Sequence, residues 1–174
     1  MKALLLAAML FAPIDLQPQA QERKQSDGKP CELVDGGSRV LTAEMKTVLA
    51  SKYRSWRVKS QCAGEPETDI DPRWASVASG DYDSDGKVDQ AVLLESAART
   101  IVLVFMSSVS GGPVVAGDGS EHLATITRGT RGHNFDTEKD FTYETDALYT
   151  GDYHCCGYSL LWQKGKFIRI TTSD

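Results

Sequence analysis

From Leu41 onward the apolar positions recur with the period of a helix. Leu41, Met45, Val48, Leu49, Tyr53 and Trp56 fall at spacings that line one face, while Lys46, Lys52 and Arg54 occupy the other. Thr42 is placed to cap the first turn, and Glu44 complements the positive end of its backbone dipole. The pattern predicts a surface helix packed on a core. The segment that follows, "AGEPETDIDPR" (63–73), combines two prolines with four acids and reads as a loop.

Beyond that loop the period becomes that of strands. "WASVAS", "VDQAVLLES", "FTYETDALY", "YSLLW" and "KFIRIT" are strand candidates, and "GGPVV" and "HLATITR" are weaker ones. "TIVLVFM" (100–106) is apolar without alternation, as expected for a central strand buried on both faces. "QKGK" (163–166) is a short turn joining the last two strands in a hairpin, and "RGTRGHNFDTEKD" (128–140) reads as a charged, glycine-containing loop. Short connections favour antiparallel pairing. The expected architecture is an α+β domain over residues 31–174, with an N-terminal helix packed on a mainly antiparallel sheet of about six or seven strands.

The first twenty residues, "MKALLLAAMLFAPIDLQPQA", place Lys2 before an apolar block from Ala3 to Ala12 and end on the small residue Ala20. This is the layout of a secretory signal peptide, with residues 21–30 left as a flexible mature N-terminus. The block is shorter than the roughly 20 apolar residues of a membrane-spanning helix, and no later segment is long enough either. The reading is an exported, soluble protein of the periplasm or the extracellular space.

That compartment changes the meaning of the four cysteines, Cys31, Cys62, Cys155 and Cys156. An even count in an oxidising environment predicts disulfides, and a Cys31 to Cys62 bond would tie the N-terminal tail across the helix. The neighbours Cys155 and Cys156 stay open between thiols, a strained vicinal bond and exchange with the first pair. The 24 acids against 19 lysines and arginines give a net charge of −5 and leave no basic stripe. Nucleic acid and anionic membranes are therefore poor partners, and a cationic ligand suits the chain better.

One stretch points to such a ligand. In "DYDSDGKVD" Asp81, Asp83, Asp85 and Asp89 stand at the first, third, fifth and ninth positions, with Gly86 sixth and Lys87 seventh. Carboxylates crowded this closely repel one another unless a cation sits among them. A loop coiled around a hard cation supplies alternate side chains and a backbone carbonyl at the seventh position, here that of Lys87. A glycine at the sixth position permits the sharp turn. Many carboxylates in a protein cage favour Ca2+ over Mg2+, and zinc would want nitrogen or sulfur. An ordinary EF-hand fits poorly, because its twelfth position requires a bidentate glutamate, whereas Val92 stands there and the flanks read as strands.

From Gly80 to Val92 the chain resembles the calcium loop of FG-GAP and VCBS-type repeats, whose hairpins carry "GDxDxDGxxDxxV" as in integrin α-subunit propellers. The resemblance implies that Asp81, Asp83, Asp85 and Asp89, with the Lys87 carbonyl, ligate calcium. It covers about fifteen residues and implies a hairpin site, not a propeller, for which the chain is too short. Taken together, the leader, helix, acidic loop and final hairpin resemble small exported bacterial proteins of unknown role.

Other chemistry is less supported. "YHCCGY" (153–158) sets His154 beside two thiols, but successive strand residues point to opposite faces and no CxxC spacing occurs. The histidines His122, His133 and His154 are not accompanied by a "GxSxG" elbow. An exported hydrolase with an unrecognised active site is the alternative, and no catalytic residue is selected. The aromatics Tyr143, Tyr149, Tyr153, Tyr158, Trp162 and Phe167 either cover the core or form a recognition strip for a protein or glycan partner.

Overall fold

The computed structural model describes residues 32–63, 73, 75–152 and 156–173. The expected signal peptide, the flexible N-terminus, Cys31, Tyr153, His154, Cys155 and most of the 63–73 loop lie outside the described residues.

The helix forms where the apolar period begins. α1 (Ala43–Lys52) follows Thr42, whose hydroxyl oxygen accepts the N–H of Met45, and Glu44 lies in its first turn. It is shorter than the periodic stretch: Trp56 lies past its end, before the short strand β2 (Arg57–Val58). Leu41, Met45, Leu49, Tyr53 and Trp56 nevertheless all pack into one cluster. The first two-stranded pair is β1 (Leu33–Val34) with β3 (Gln61–Cys62), in which Leu33 lies opposite Cys62.

Strands β4 (Val77–Gly80), β5 (Asp89–Glu95), β6 (Thr100–Phe105) and β7 (Val114–Asp118) form one antiparallel sheet, in which β2 and β4 share the same edge of β5. The apolar runs of β5 and β6 split by period two. Val92, Leu94, Ile101 and Leu103 face the helix; Ala91, Leu93, Val102 and Val104 face the opposite way. One short helix covers only one of these faces.

The other face is covered by a second sheet, and this overturns the expected α+β architecture of a helix on a single sheet. Among the described residues strands occupy 47% and helices 10%, so the structure is mostly β with several sheets. β8 (His122–Ile126), β11 (Ala147–Gly151), β12 (Gly157–Gln163) and β13 (Lys166–Ser173) pair in the order β13-β12-β11-β8. Leu123, Leu148, Tyr158 and Leu160 from this sheet close the core over Leu93 and Val102. The physical reason is the two-sided apolarity of β5 and β6, which cannot be left open to water on either face. The layers are helix, sheet, sheet. At one lateral edge the sheets meet, with the Leu123 N–H donating to the Ala75 carbonyl at 2.7 Å.

A second difference concerns the 128–140 segment, expected as a loop. It contains a hairpin, β9 (Arg131–Asn134) paired with β10 (Lys139–Thr142). The predicted "FTYETDALY" strand is accordingly broken between β10 and β11. The "QKGK" hairpin is present, with Lys164 at φ 51° and Gly165 at φ 80°, so both central residues take the left-handed conformation that matches the twist of paired strands. Four of the late aromatics serve the core: Tyr143 and Tyr158 are buried, and Trp162 and Phe167 pack against the inter-sheet cluster.

Candidate metal centre

The aspartate loop connects β4 to β5, and its ends are fixed by the pairing of Gly80 with Asp89. Along β5, Asp89 shares the inward parity of Ala91 and Leu93, so its carboxylate enters the end of the inter-sheet core and is fully buried. Tyr82 also turns inward and is fully buried; its hydroxyl lies 3.0 Å from that of Thr125 on the second sheet. Burial raises the Tyr82 phenol far above the ordinary tyrosine range. The residue between the first two aspartates thus anchors the loop while its neighbours turn outward.

Ser84 (φ 61°) and Gly86 (φ 81°) are left-handed. For Ser84 this costs about 1–2 kcal/mol, which the surrounding bonds must offset. The coil brings carboxylate oxygens of Asp81, Asp83 and Asp89 within 4.8 Å of one another. Oxygens bound to a shared calcium at roughly 2.3–2.6 Å lie at most roughly 5 Å apart, so three of the four expected aspartates converge at a compatible spacing. Two unit charges at such a separation near a protein surface repel by roughly 3 kcal/mol.

Each carboxylate has a distinct set of partners. Asp89 accepts the Tyr82 N–H through Oδ2 at 3.0 Å and the Ser107 N–H through Oδ1 at 2.8 Å. Its pKa is raised, first by burial and then by the charges of Asp83 and Asp85, against the lowering effect of those two N–H donors. Asp83 accepts the Asp85 N–H at 3.1 Å and the Ser108 hydroxyl. Asp81 accepts the Gly86 N–H through Oδ2 at 3.1 Å, while its Oδ1 is buried and has no hydrogen-bond partner among the described residues. A buried carboxylate oxygen with no donor is costly unless a cation faces it.

Asp85 is not in the converged group. Its Oδ2 accepts the Ser107 hydroxyl at 2.6 Å and its Oδ1 the Lys87 N–H at 2.8 Å, with the Lys87 ammonium 3.8 Å away. The Ser107 bond is the main cause of its lowered pKa. Lys87, expected to contribute its carbonyl, is exposed and turns its N–H and ammonium toward Asp85.

Three further residues complete the centre. Ser107 and Ser108 follow β6 and close the loop from one side. Asp146, just before β11, accepts the Asp81 N–H through Oδ2 at 3.0 Å and the Arg128 N–H through Oδ1 at 2.9 Å. These contacts span between 18 and 65 residues of sequence, and no local pattern announces them. The site therefore sits where connections from both sheets meet.

Of the remaining sequence candidates, His133 pairs with Asp140 at 2.7 Å, with Glu138 at 3.7 Å, on the exposed β9–β10 hairpin. Neither Cys62 nor Cys156 is a free thiol, while Cys31 and Cys155 lie outside the described residues. Among the described residues no helix is long and apolar enough to cross a membrane. No family model, curated protein or solved structure matches the chain.

Proposed function

We propose that the chain is an exported, non-catalytic binding module of the periplasm or extracellular space, stabilised by one calcium ion in the β4–β5 loop. The observation that supports this most is the buried Oδ1 of Asp81, without a hydrogen-bond partner among the described residues, beside converging oxygens of Asp83 and Asp89. A bound cation would supply the missing partner and offset the mutual repulsion of the three carboxylates. Asp81, Asp83 and Asp89 would be side-chain ligands, with the Lys87 carbonyl as expected from the loop spacing. Asp85, outside the converged group, would ligate only by turning toward it; as placed, it holds the closing serine loop through the Ser107 hydroxyl. The ion would act structurally, since its ligands are bonded to both neighbouring connections and Asp89 reaches the inter-sheet core.

Export would place the cysteines in an oxidising compartment, and the β1–β3 pairing favours Cys31 as the partner of Cys62. Glu32, next to Cys31 in the chain, accepts the N–H of Ala63, next to Cys62. Calcium binding is tested by calorimetric titration of the metal-free mature protein. One calcium per chain is expected for the wild type and none for Asp83→Ala; equal binding by the two would refute the site.

A further inference from the structure

The β9–β10 hairpin stands over the outer face of the second sheet, and a cleft of about 410 Å³ lies between them. That volume falls in the range of roughly 300–1,000 Å³ typical of small-molecule sites. Leu161, Trp162 and Ile170 of the sheet and Phe141 of the hairpin supply its apolar lining, and Asn134, Glu144 and Gln163 are among its polar residues.

The hairpin is fastened in place. The Phe135 N–H donates to the Thr171 carbonyl at 3.0 Å, and the Asp136 carboxylate accepts both the N–H and the hydroxyl of Thr171, at 3.1 and 3.0 Å. Asn134 is oriented by its Oδ1, which accepts the N–H groups of Asp136 and Thr137 at 2.9 and 3.2 Å. Among the described residues its amide nitrogen has no acceptor, which leaves it as a donor. Glu144 and Gln163 are exposed and make no side-chain hydrogen bond among the described residues.

The charges of the lining nearly cancel. Lys139 stands against Asp140 and Glu144, and Asp140 is already engaged by His133 at 2.7 Å. A strongly charged ligand gains little there. Carboxamides and a carboxylate around an aromatic and aliphatic patch suit a ligand that presents hydroxyl groups at its edge and C–H groups on its face. We propose that this cleft, between the β9–β10 hairpin and the second sheet, binds a neutral oligosaccharide. The proposal does not rest on the calcium reading, because none of the converged aspartates lines the cleft.

The test is calorimetric titration of the full mature chain, in calcium-containing buffer, with maltotetraose, cellotetraose and chitotetraose. Binding of at least one is expected, weakened by about fivefold or more in both Gln163→Ala and Glu144→Ala, as for loss of a ligand hydrogen bond. Both residues are exposed, so the variants should fold, and Lys166→Ala, outside the cleft, should bind as the wild type does. Absence of binding to all of these sugars, unchanged affinity in the two cleft variants, or binding only to a charged polymer such as polygalacturonate would overturn the proposal.

Discussion

The backbone N–H of Ser107 lies 2.8 Å from Oδ1 of Asp89, eighteen residues earlier in the chain, and joins the end of the central strand to the aspartate loop. Asp89 therefore has two separable roles, as a hydrogen-bond acceptor for Ser107 and Tyr82 and as a candidate ligand. Asp89→Ala removes both and leaves two N–H groups without their acceptor, at an expected cost of about 2–4 kcal/mol. Asp89→Asn keeps one acceptor oxygen and loses the charge. In chelator it should cost about 1–2 kcal/mol by urea denaturation, and it should gain nothing from added calcium. An Asn variant stabilised by calcium as strongly as the wild type would remove Asp89 from the site.

Asp146 should behave as a positioning residue. Asp146→Ala frees the N–H groups of Asp81 and Arg128 and is expected to cost about 1–3 kcal/mol. Because the Asp81 N–H is one of those released, calcium affinity should fall as well, by about tenfold. Loss of stability with unchanged affinity would make Asp146 a bond between the sheets and nothing more.

Non-reducing peptide mapping of the mature protein should recover Cys31 joined to Cys62. Closing that loop is worth about 3–4 kcal/mol in the chain-entropy account, so Cys62→Ser should melt well below the wild type. Recovery of Cys62 joined to Cys155 would contradict the pairing.

His133 titrates above the ordinary imidazole range, first because Asp140 accepts a hydrogen bond from it and then through the charges of Asp140 and Glu138. The sign follows from a folded pKa above the unfolded one. Whatever stability the pair gives the hairpin is fully present below the unfolded value of about 6.5 and is lost as pH rises through the folded pKa. NMR titration of the His133 ring should show the raised value, and Asp140→Asn should bring it down. Equal values in both proteins would remove Asp140 as the cause.

The parts of the fold legible in sequence were those with one-dimensional causes. Thr42 and the apolar face after it mark the helix, and the unalternating runs of β5 and β6 mark strands covered on both sides. That second feature already implied a second covering layer, since the face carrying Leu93 and Val102 is not the one the helix reaches. The β9–β10 hairpin escaped because its residues are mostly exposed and polar, so its pairing rests on backbone bonds and on contacts such as His133 with Asp140. At the candidate centre, alternation announced the aspartates but could not sort them. Whether Asp85 turns to the ion position or to Ser107 depends on a loop 22 residues away. Tyr82 reads as a spacer in sequence, yet its full burial is what orients the loop.

The central claim is tested most directly by thermal melting of the mature protein in saturating calcium and in chelator, with Asp83→Ala measured alongside. Calcium at a hundred times its dissociation constant should stabilise the wild type by about 2.7 kcal/mol, raising Tm by about 5–10 °C, and should leave Asp83→Ala where it melts in chelator. Identical melting of the wild type in calcium and in chelator would contradict a structural calcium ion in the Asp81–Asp89 loop.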